Sequence, residues 1–457
     1  MLDLIEKLVI SLWNRLQGRN KKKEPTSGIA LGFHVAEDAV TERRVGLSHT
    51  QRTMHIAVLG KTGSGKSSLL RFMAQQDIKA GRGFVYFDQH GDTTPFLLGS
   101  IAAEERKRAQ QLHERLIVVA PADKEFSVSL NPLEQAEVNF VRIAEFAQIL
   151  KQRWGLDHFG ARTDELLRNS LYVLSANGLT LLELGPLLTH PGFRASCLKK
   201  TPNAEVRHYF EMRYDKASEP MQATMREPIL NKTSAFTADP SFRHIVGQQR
   251  SSFSVTEAMD EGHWIIANLE KGKLGEQSLT LGSLLFTIVK NALFSRTKRT
   301  LFTVYVDEVQ NFLAYDTGIE TVLSEARKFG VSVVSANQFL GQYPDEMRAA
   351  ILSVGTHVFF QLSPADAIQI AQALDGGKSL AERLKNLPQR HFVIKSGAER
   401  WHEGCTPKVV NPHASFSDLL DRARVHRGRP RALVEQEIEE RHRVFTQTTD
   451  EVLHEWE

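Results

Sequence analysis

The stretch HIAVLGKTGSGKSSLLRFM, residues 55–73, decides the fold. It opens with a short apolar run, turns through Gly60, Gly63 and Gly65, and ends in a helical pattern, which is the context that GxxxxGK[ST] requires. The glycines let the backbone turn tightly, so that successive amide hydrogens point inward at phosphate oxygens. The helix that follows adds its positive N-terminal end. Gly60, Lys61, Thr62, Gly63, Ser64, Gly65, Lys66, Ser67 and Ser68 are therefore the expected nucleotide cradle. Lys66 would reach the β- and γ-phosphates and Ser67 would ligate magnesium, so the implied cofactors are ATP and Mg2+. The bland alternative is a glycine-rich surface turn, which leaves the flanking strand and helix without a reason.

Working outward, short runs rich in β-branched residues at 84–87, 116–119, 264–268, 302–306, 331–335, 357–361 and 391–394 read as buried strands. Helical patterns such as 67–79 and 319–328 separate several of them, the signature of a parallel sheet covered on both faces. The expected fold class is α/β, with a central, mostly parallel sheet. Between 134 and 228 the strand signal vanishes, and segments 138–153 and 163–176 carry apolar residues at three- and four-residue spacing, which reads as an inserted all-α domain. The expected organisation is an amphipathic helix and basic linker at 1–28, a first nucleotide-binding part at 29–133, the insertion at 134–228, a second nucleotide-binding part at 229–412, and a charged helical tail at 413–457 lying outside the core.

A phosphate cradle needs a metal partner, and LFTVYVDEVQNF, residues 301–312, supplies one. A buried strand there would end in Asp307 and Glu308. Asp307 would hold Mg2+ through a water, and Glu308 would orient and deprotonate the water attacking the γ-phosphate. Alternatively, the two acids merely open the next helix near its N-terminus. VSVVSAN at 331–337 leads to Gln338, whose amide would face the crevice at the strands' C-terminal ends and act as a γ-phosphate or water sensor, unless it is an ordinary loop glutamine. In SEARKFG, Arg327 and Lys328 end a predicted helix and complement its dipole; the sharper reading makes Arg327 an arginine finger on a neighbouring subunit's nucleotide. FVYFDQHGD gathers Asp88, His90 and Asp92, but Asp and Gly at this spacing build a turn, and no catalytic metal is assigned there.

Composition sets the remaining bounds. At 457 residues, 41% hydrophobic and 24% charged, the chain has the makeup of a globular protein. Its formal charge of +3 requires any nucleic-acid surface to be local. The cysteines, Cys197 and Cys405, stand far apart, which excludes a disulfide framework and a CxxC zinc site and fits a reducing cytoplasm. Leu2, Ile5, Leu8, Val9, Leu12 and Leu16 recur at helical spacing, but Asp3, Glu6, Lys7 and Arg15 make the segment too charged to span a bilayer. Followed by Arg19, Lys21, Lys22 and Lys23, it suits peripheral contact with anionic lipid, or packing against the domain or a partner subunit. The expected location is the cytoplasm, with possible attachment to the cytoplasmic face of the inner membrane.

Taken together, GKTGSGKS, YFDQHGD, the helical insertion, YVDEVQNF and ARKFGVSVVSANQ resemble the HerA/FtsK superfamily of ring-forming DNA pumps, and within it the type IV secretion coupling proteins of conjugation. The resemblance covers residues 29–410 and takes in RWGLDHFGARTDELLRNSL, NKTSAF, WIIANLEKGKLGEQ and KNLPQRHFVI. It implies a RecA-like P-loop ATPase core, a hexameric ring with DNA in its channel, ATP sites between subunits, and type IV secretion or relaxosome proteins as partners. On matching positions it makes Lys66 and Ser67 the nucleotide and metal residues, Asp307 and Glu308 the Walker B acids, Gln338 the sensor and Arg327 a trans finger. Gln89 departs from the family's frequent DPHGD, and the two N-terminal membrane helices usual in coupling proteins are not seen in the sequence. Two other classes share this core, a secretion ATPase handling protein and a HerA-type translocase in DNA processing. A nucleotide switch without turnover is disfavoured by the adjacent Asp307 and Glu308.

Overall fold

Each expected apolar run becomes a strand of one 11-stranded sheet. In this computed structural model the described residues are 28–454, apart from 136, 137, 157, 159, 313–318 and 344. The N-terminal amphipathic helix and most of the basic linker, with the membrane contact expected of them, lie outside the described residues. In chain order the strands are β1 (Ile29–Ala36), β2 (Ala39–Leu47), β3 (Ile56–Leu59), β4 (Gly83–Asp88), β5 (Leu116–Val119), β6 (Phe126–Ser127), β7 (Trp264–Asn268), β8 (Phe302–Asp307), β9 (Val331–Asn337), β10 (Thr356–Phe359), β11 (His391–Ser396), β12 (His402–Cys405) and β13 (Arg429–Pro430). The large sheet runs β2-β1-β12-β11-β10-β3-β9-β8-β4-β7-β5. From β10 to β5 every neighbour is parallel, while β11, β12, β1 and β2 extend it antiparallel.

Parallel strands point their C-terminal ends the same way, so the segments after β3, β9, β8 and β4 gather on one rim. The register is close: Leu59 pairs with Asn337, Asp307 with Ala336, and Phe87 with Val306. Alternate residues face opposite sides. Phe84, Tyr86 and Tyr305 join one core with helix α1 (Lys66–Ala80) and helix α2 (Thr94–Arg108), and Val85, Phe87, Val304 and Val306 join the other.

That second face carries the helical segment. Helix α3 (Phe140–Arg153) buries Ile143, Phe146 and Leu150 in the same cluster as Val85 and Phe87, and helix α4 (Gln277–Phe294) adds Leu281 and Leu285. The helices share a core with the sheet. They also run past the expected boundary, because Pro228 lies inside the helix Glu219–Thr237, where buried Ile229 and Phe236 hold it despite the missing amide.

The charged tail is not outside the core as expected. Helix α5 (Ser417–Arg427) buries Leu419 and Ala423 against the β5 side of the sheet. The Gly428–Pro430 break becomes β13, paired with β6. Helix α6 (Arg431–His454) then seats Val434 and Ile438 on Leu182 of the helical segment, with Glu435 paired to Arg243 at 3.0 Å and Arg441 to buried Glu183 at 2.8 Å. Sparse apolar residues among many charges hide such a contact from a composition reading.

A buried ion cluster ties the sheet to its helices at the opposite rim. Arg52 and Asp77 are both 0% exposed, and the Arg52 guanidinium donates two hydrogen bonds, of 2.8 and 2.7 Å, to the Asp77 carboxylate. Tyr305 and Arg82 each donate to it at 2.6 Å. Removing one partner of such a pair leaves an unpaired buried charge, so Asp77→Ala should lose about 3–5 kcal/mol of stability, read by denaturant unfolding. A loss below about 0.5 kcal/mol would show that Asp77 is not holding the cluster. Burial alone would push Asp77 up, but Arg52, with Arg82 and Tyr305, holds it below its ordinary 3.8. Its contribution is therefore present above the ordinary value and lost as the pH falls through the lower folded-state value.

Candidate active site

The rim brings together the residues singled out in sequence, with one exception. After β3 the chain enters the cradle with the Gly60 amide donating to Asn337 O at 3.1 Å and the Lys61 amide to Gln361 O at 2.8 Å. Gly63 and Gly65 have φ of 76° and 124°. Gly65 stands immediately before α1, with no side chain capping the helix, so the first amides of α1 are left open. A Cβ on Gly65 would come to 3.0 Å from the Arg390 Cα. That contact identifies a clasp the sequence reading missed: the Arg390 amide donates to Ser64 O at 2.7 Å and the Gln389 side chain to Gly63 O at 3.1 Å. Only the quoted KNLPQRHFVI carried any signal of it.

Inside the loop, the Lys66 ammonium donates to Gly60 O at 2.6 Å and Lys61 O at 3.1 Å. The Ser64 hydroxyl donates to Lys61 O at 2.7 Å. Lys61 and Thr62 are exposed on the loop, and Ser67 and Ser68 occupy the first turn of α1, half-buried. Ser67 Oγ donates to Asp307 Oδ2 at 2.8 Å, which joins the two expected metal ligands across the sheet. Burial pushes the Lys66 ammonium below its ordinary value, against the pull of Asp307 and Glu308. Burial also pushes the Asp307 carboxyl up, opposed by the Ser67 hydrogen bond and by Lys66. A cation beside Asp307 would reverse that shift. Open helix amides, a buried lysine and a hydroxyl–carboxylate pair of oxygen donors fit a magnesium-bound triphosphate.

Glu308 follows β8 with φ 54° and ψ 54°. Its carboxylate accepts from Gln338 Nε2 at 2.7 Å and from Asn311 Nδ2 at 3.0 Å. Gln338 lies at the crevice end of β9, where the sequence reading expected it, but its bond to Glu308 and the presence of Asn311 were not foreseen. Asp88 is occupied in its turn, accepting from the amides of Gly91, Thr93 and Thr94 at 3.1, 3.0 and 2.6 Å. The exception is Arg327. It is exposed in the short turn Ala326–Phe329 before β9, at the rim opposite Gln338.

Comparison with known proteins follows the same lines. Residues 31–156 match the family model of the HerA helicase central domain, a span that holds the cradle and ends just beyond α3. The plasmid coupling protein TrwB bound to a non-hydrolysable ATP analogue superposes with a TM-score of 0.59 at 16% identity, over 88% of this chain and 94% of that one. TrwB with ADP and Mg2+ gives 0.58 at 16%, over 87% and 94%. VirB4 of Thermoanaerobacter pseudethanolicus gives 0.57 at 14%, over 84% and 98%. A search of the curated proteins finds no sequence match. The chain has the RecA-like P-loop fold, its residues 31–156 are similar to the HerA central domain, and the resemblance to HerA/FtsK-type ATPases is borne out.

Proposed function

We propose that the chain is an ATP-driven DNA translocase of the conjugative coupling-protein type, hydrolysing Mg-ATP between the subunits of a hexameric ring. The observation that carries the hydrolytic half is the Glu308 carboxylate, held from both oxygens beside the Ser67–Asp307 pair. Mg-ATP supplies a phosphoryl group whose transfer needs positioning and charge stabilisation more than covalent chemistry. Lys66 and the amides of residues 60–68 bind its phosphates, and Ser67 and Asp307 hold the metal. Glu308 takes the proton from the attacking water, Gln338 aims that carboxylate, and Arg327 acts on the neighbour's nucleotide. The TrwB complexes with ADP and Mg2+ and with an ATP analogue support the choice of ligand.

The DNA half rests on the coupling-protein likeness. DNA of one form should raise the ATPase rate, and the stimulation should fall steeply with salt, because each neutralised phosphate releases bound cations; about six phosphate contacts would weaken binding about 10³-fold between 50 and 200 mM salt. A rate indifferent to single- and double-stranded DNA at every salt would overturn the DNA reading. It would favour the second one, a secretion ATPase acting on protein, since VirB4 shares the same fold. Among the described residues no helix is long and apolar enough to cross a membrane. We place the ring in the cytoplasm, with residues 2–16 as its contact to the membrane face or to a secretion partner.

A further inference from the structure

Glu308 adopts the left-handed region, which is strained for a residue with a Cβ and persists only where the surroundings over-determine it. Its backbone is held on both sides: the Glu308 amide donates to Ala336 O at 2.8 Å, and the Asn311 amide to Glu308 O at 2.9 Å. Its two carboxylate oxygens receive one side-chain amide each. Gln338 is reached from β9, next to β8 in the sheet. Asn311 comes from the short turn Val309–Asn311.

An asparagine amide can present its donor or its acceptor to a neighbour by a half-turn of nearly equal shape. The wrong half-turn would set Asn311 Oδ1 against the Glu308 carboxylate. The carboxylate, which can only accept, already requires the donor half-turn, and Gln89 adds a second acceptor that favours the same one. Gln89 Oε1 accepts from the same Asn311 Nδ2 at 2.8 Å, so the two hydrogens of that nitrogen serve two acceptors, a task the amide oxygen cannot perform. Gln89 is 3% exposed, so losing this bond would leave a buried amide oxygen to be satisfied elsewhere. At its other end, the Asn311 carbonyl accepts from Arg153, the last residue of α3, whose Nε donates to Ser283 of α4 at 3.0 Å. Asn311 is thus fixed by its side chain to the segment after β4 and by its backbone to the helical segment.

We infer that Asn311, oriented by Gln89 and anchored by Arg153, is a positioning residue that sets the Glu308 carboxylate for water activation. The inference rests on the role proposed above for Glu308. Asn311 does not touch the phosphates; it acts through Glu308, and Gln89 acts through Asn311.

The test begins with Glu308→Gln in the full chain. If that variant hydrolyses ATP at the wild-type rate, the reading of the site fails and this inference fails with it. If it is inactive, Asn311→Ala should lower kcat about 10²-fold, the cost of a carboxylate misplaced by about 1 Å, with KM and Mg-ATP affinity within about twofold of wild type. Gln89→Leu should lower kcat by less. The double variant should be no slower than Asn311→Ala alone, because among the described residues Gln89 reaches Glu308 through Asn311. A structural readout stands beside the kinetics: in nucleotide-free crystals of Gln89→Leu, the Asn311 amide should have left Glu308 Oε2. An inactive Glu308→Gln together with wild-type kcat in Asn311→Ala, or additive losses in the double variant, overturns the inference alone. Unchanged Asn311 and Glu308 side chains in the Gln89→Leu crystals overturn the part given to Gln89.

Discussion

Glu308→Gln should lower the ATPase rate by about 10² to 10⁴-fold, the usual worth of a general base, and should leave Mg-ATP binding intact. The substitution keeps the length and shape of the side chain, and its amide oxygen can still accept one of the two bonds now made by Gln338 and Asn311. The cradle is untouched, since Lys66, Ser67 and Asp307 make their contacts without Glu308. What is lost is the capacity to take a proton. Equilibrium binding of a fluorescent ATP analogue and steady-state phosphate release, measured on the same preparation, separate the two effects. Hydrolysis within about threefold of wild type would remove Glu308 from the chemistry. Weakened binding with an unchanged rate at saturation would instead make it a binding residue.

The parts of this site that were legible in sequence are those whose evidence is local. The cradle is a contiguous motif, and β8 and β9 are buried on both faces, so their mostly apolar, β-branched runs announce both the strand and the polar residue that ends it. β2 was missed because it is an edge strand: Thr41, Glu42, Arg43 and Arg44 break the apolar pattern, and burial is confined to Val45 and Leu47. The tail was misread for a related reason, its ion partners Arg243 and Glu183 being remote in sequence. Gln89 and Asn311 stand 222 positions apart and meet because β4 and β8 are adjacent. Strand order is set by how the helices pack on the two faces, a global property that no window of residues reports.

Arg327→Ala should remove about 10³ to 10⁵ of the hydrolysis rate, the range seen for arginine fingers, without affecting nucleotide binding or ring formation. The geometry gives the assignment its direction. Arg327 precedes β9 and Gln338 follows it, and the strand Val331–Asn337 separates them by about 20 Å at the usual rise per residue. An exposed guanidinium on the far rim cannot serve its own cradle, so a finger role for it requires a neighbouring subunit's. Mixing two inactive variants tests this. Rings assembled from equal amounts of Arg327→Ala and Glu308→Gln contain interfaces where an intact cradle with Glu308 meets an intact Arg327, about a quarter of all interfaces if assembly is random. Activity should reappear in the mixture although neither variant has any alone. If Arg327 acted within its own chain, every subunit would still carry a defect and no activity would return. A mixture as inactive as its components, with mixed rings verified by mass, therefore overturns the trans assignment, and an Arg327→Ala rate close to wild type overturns the finger altogether.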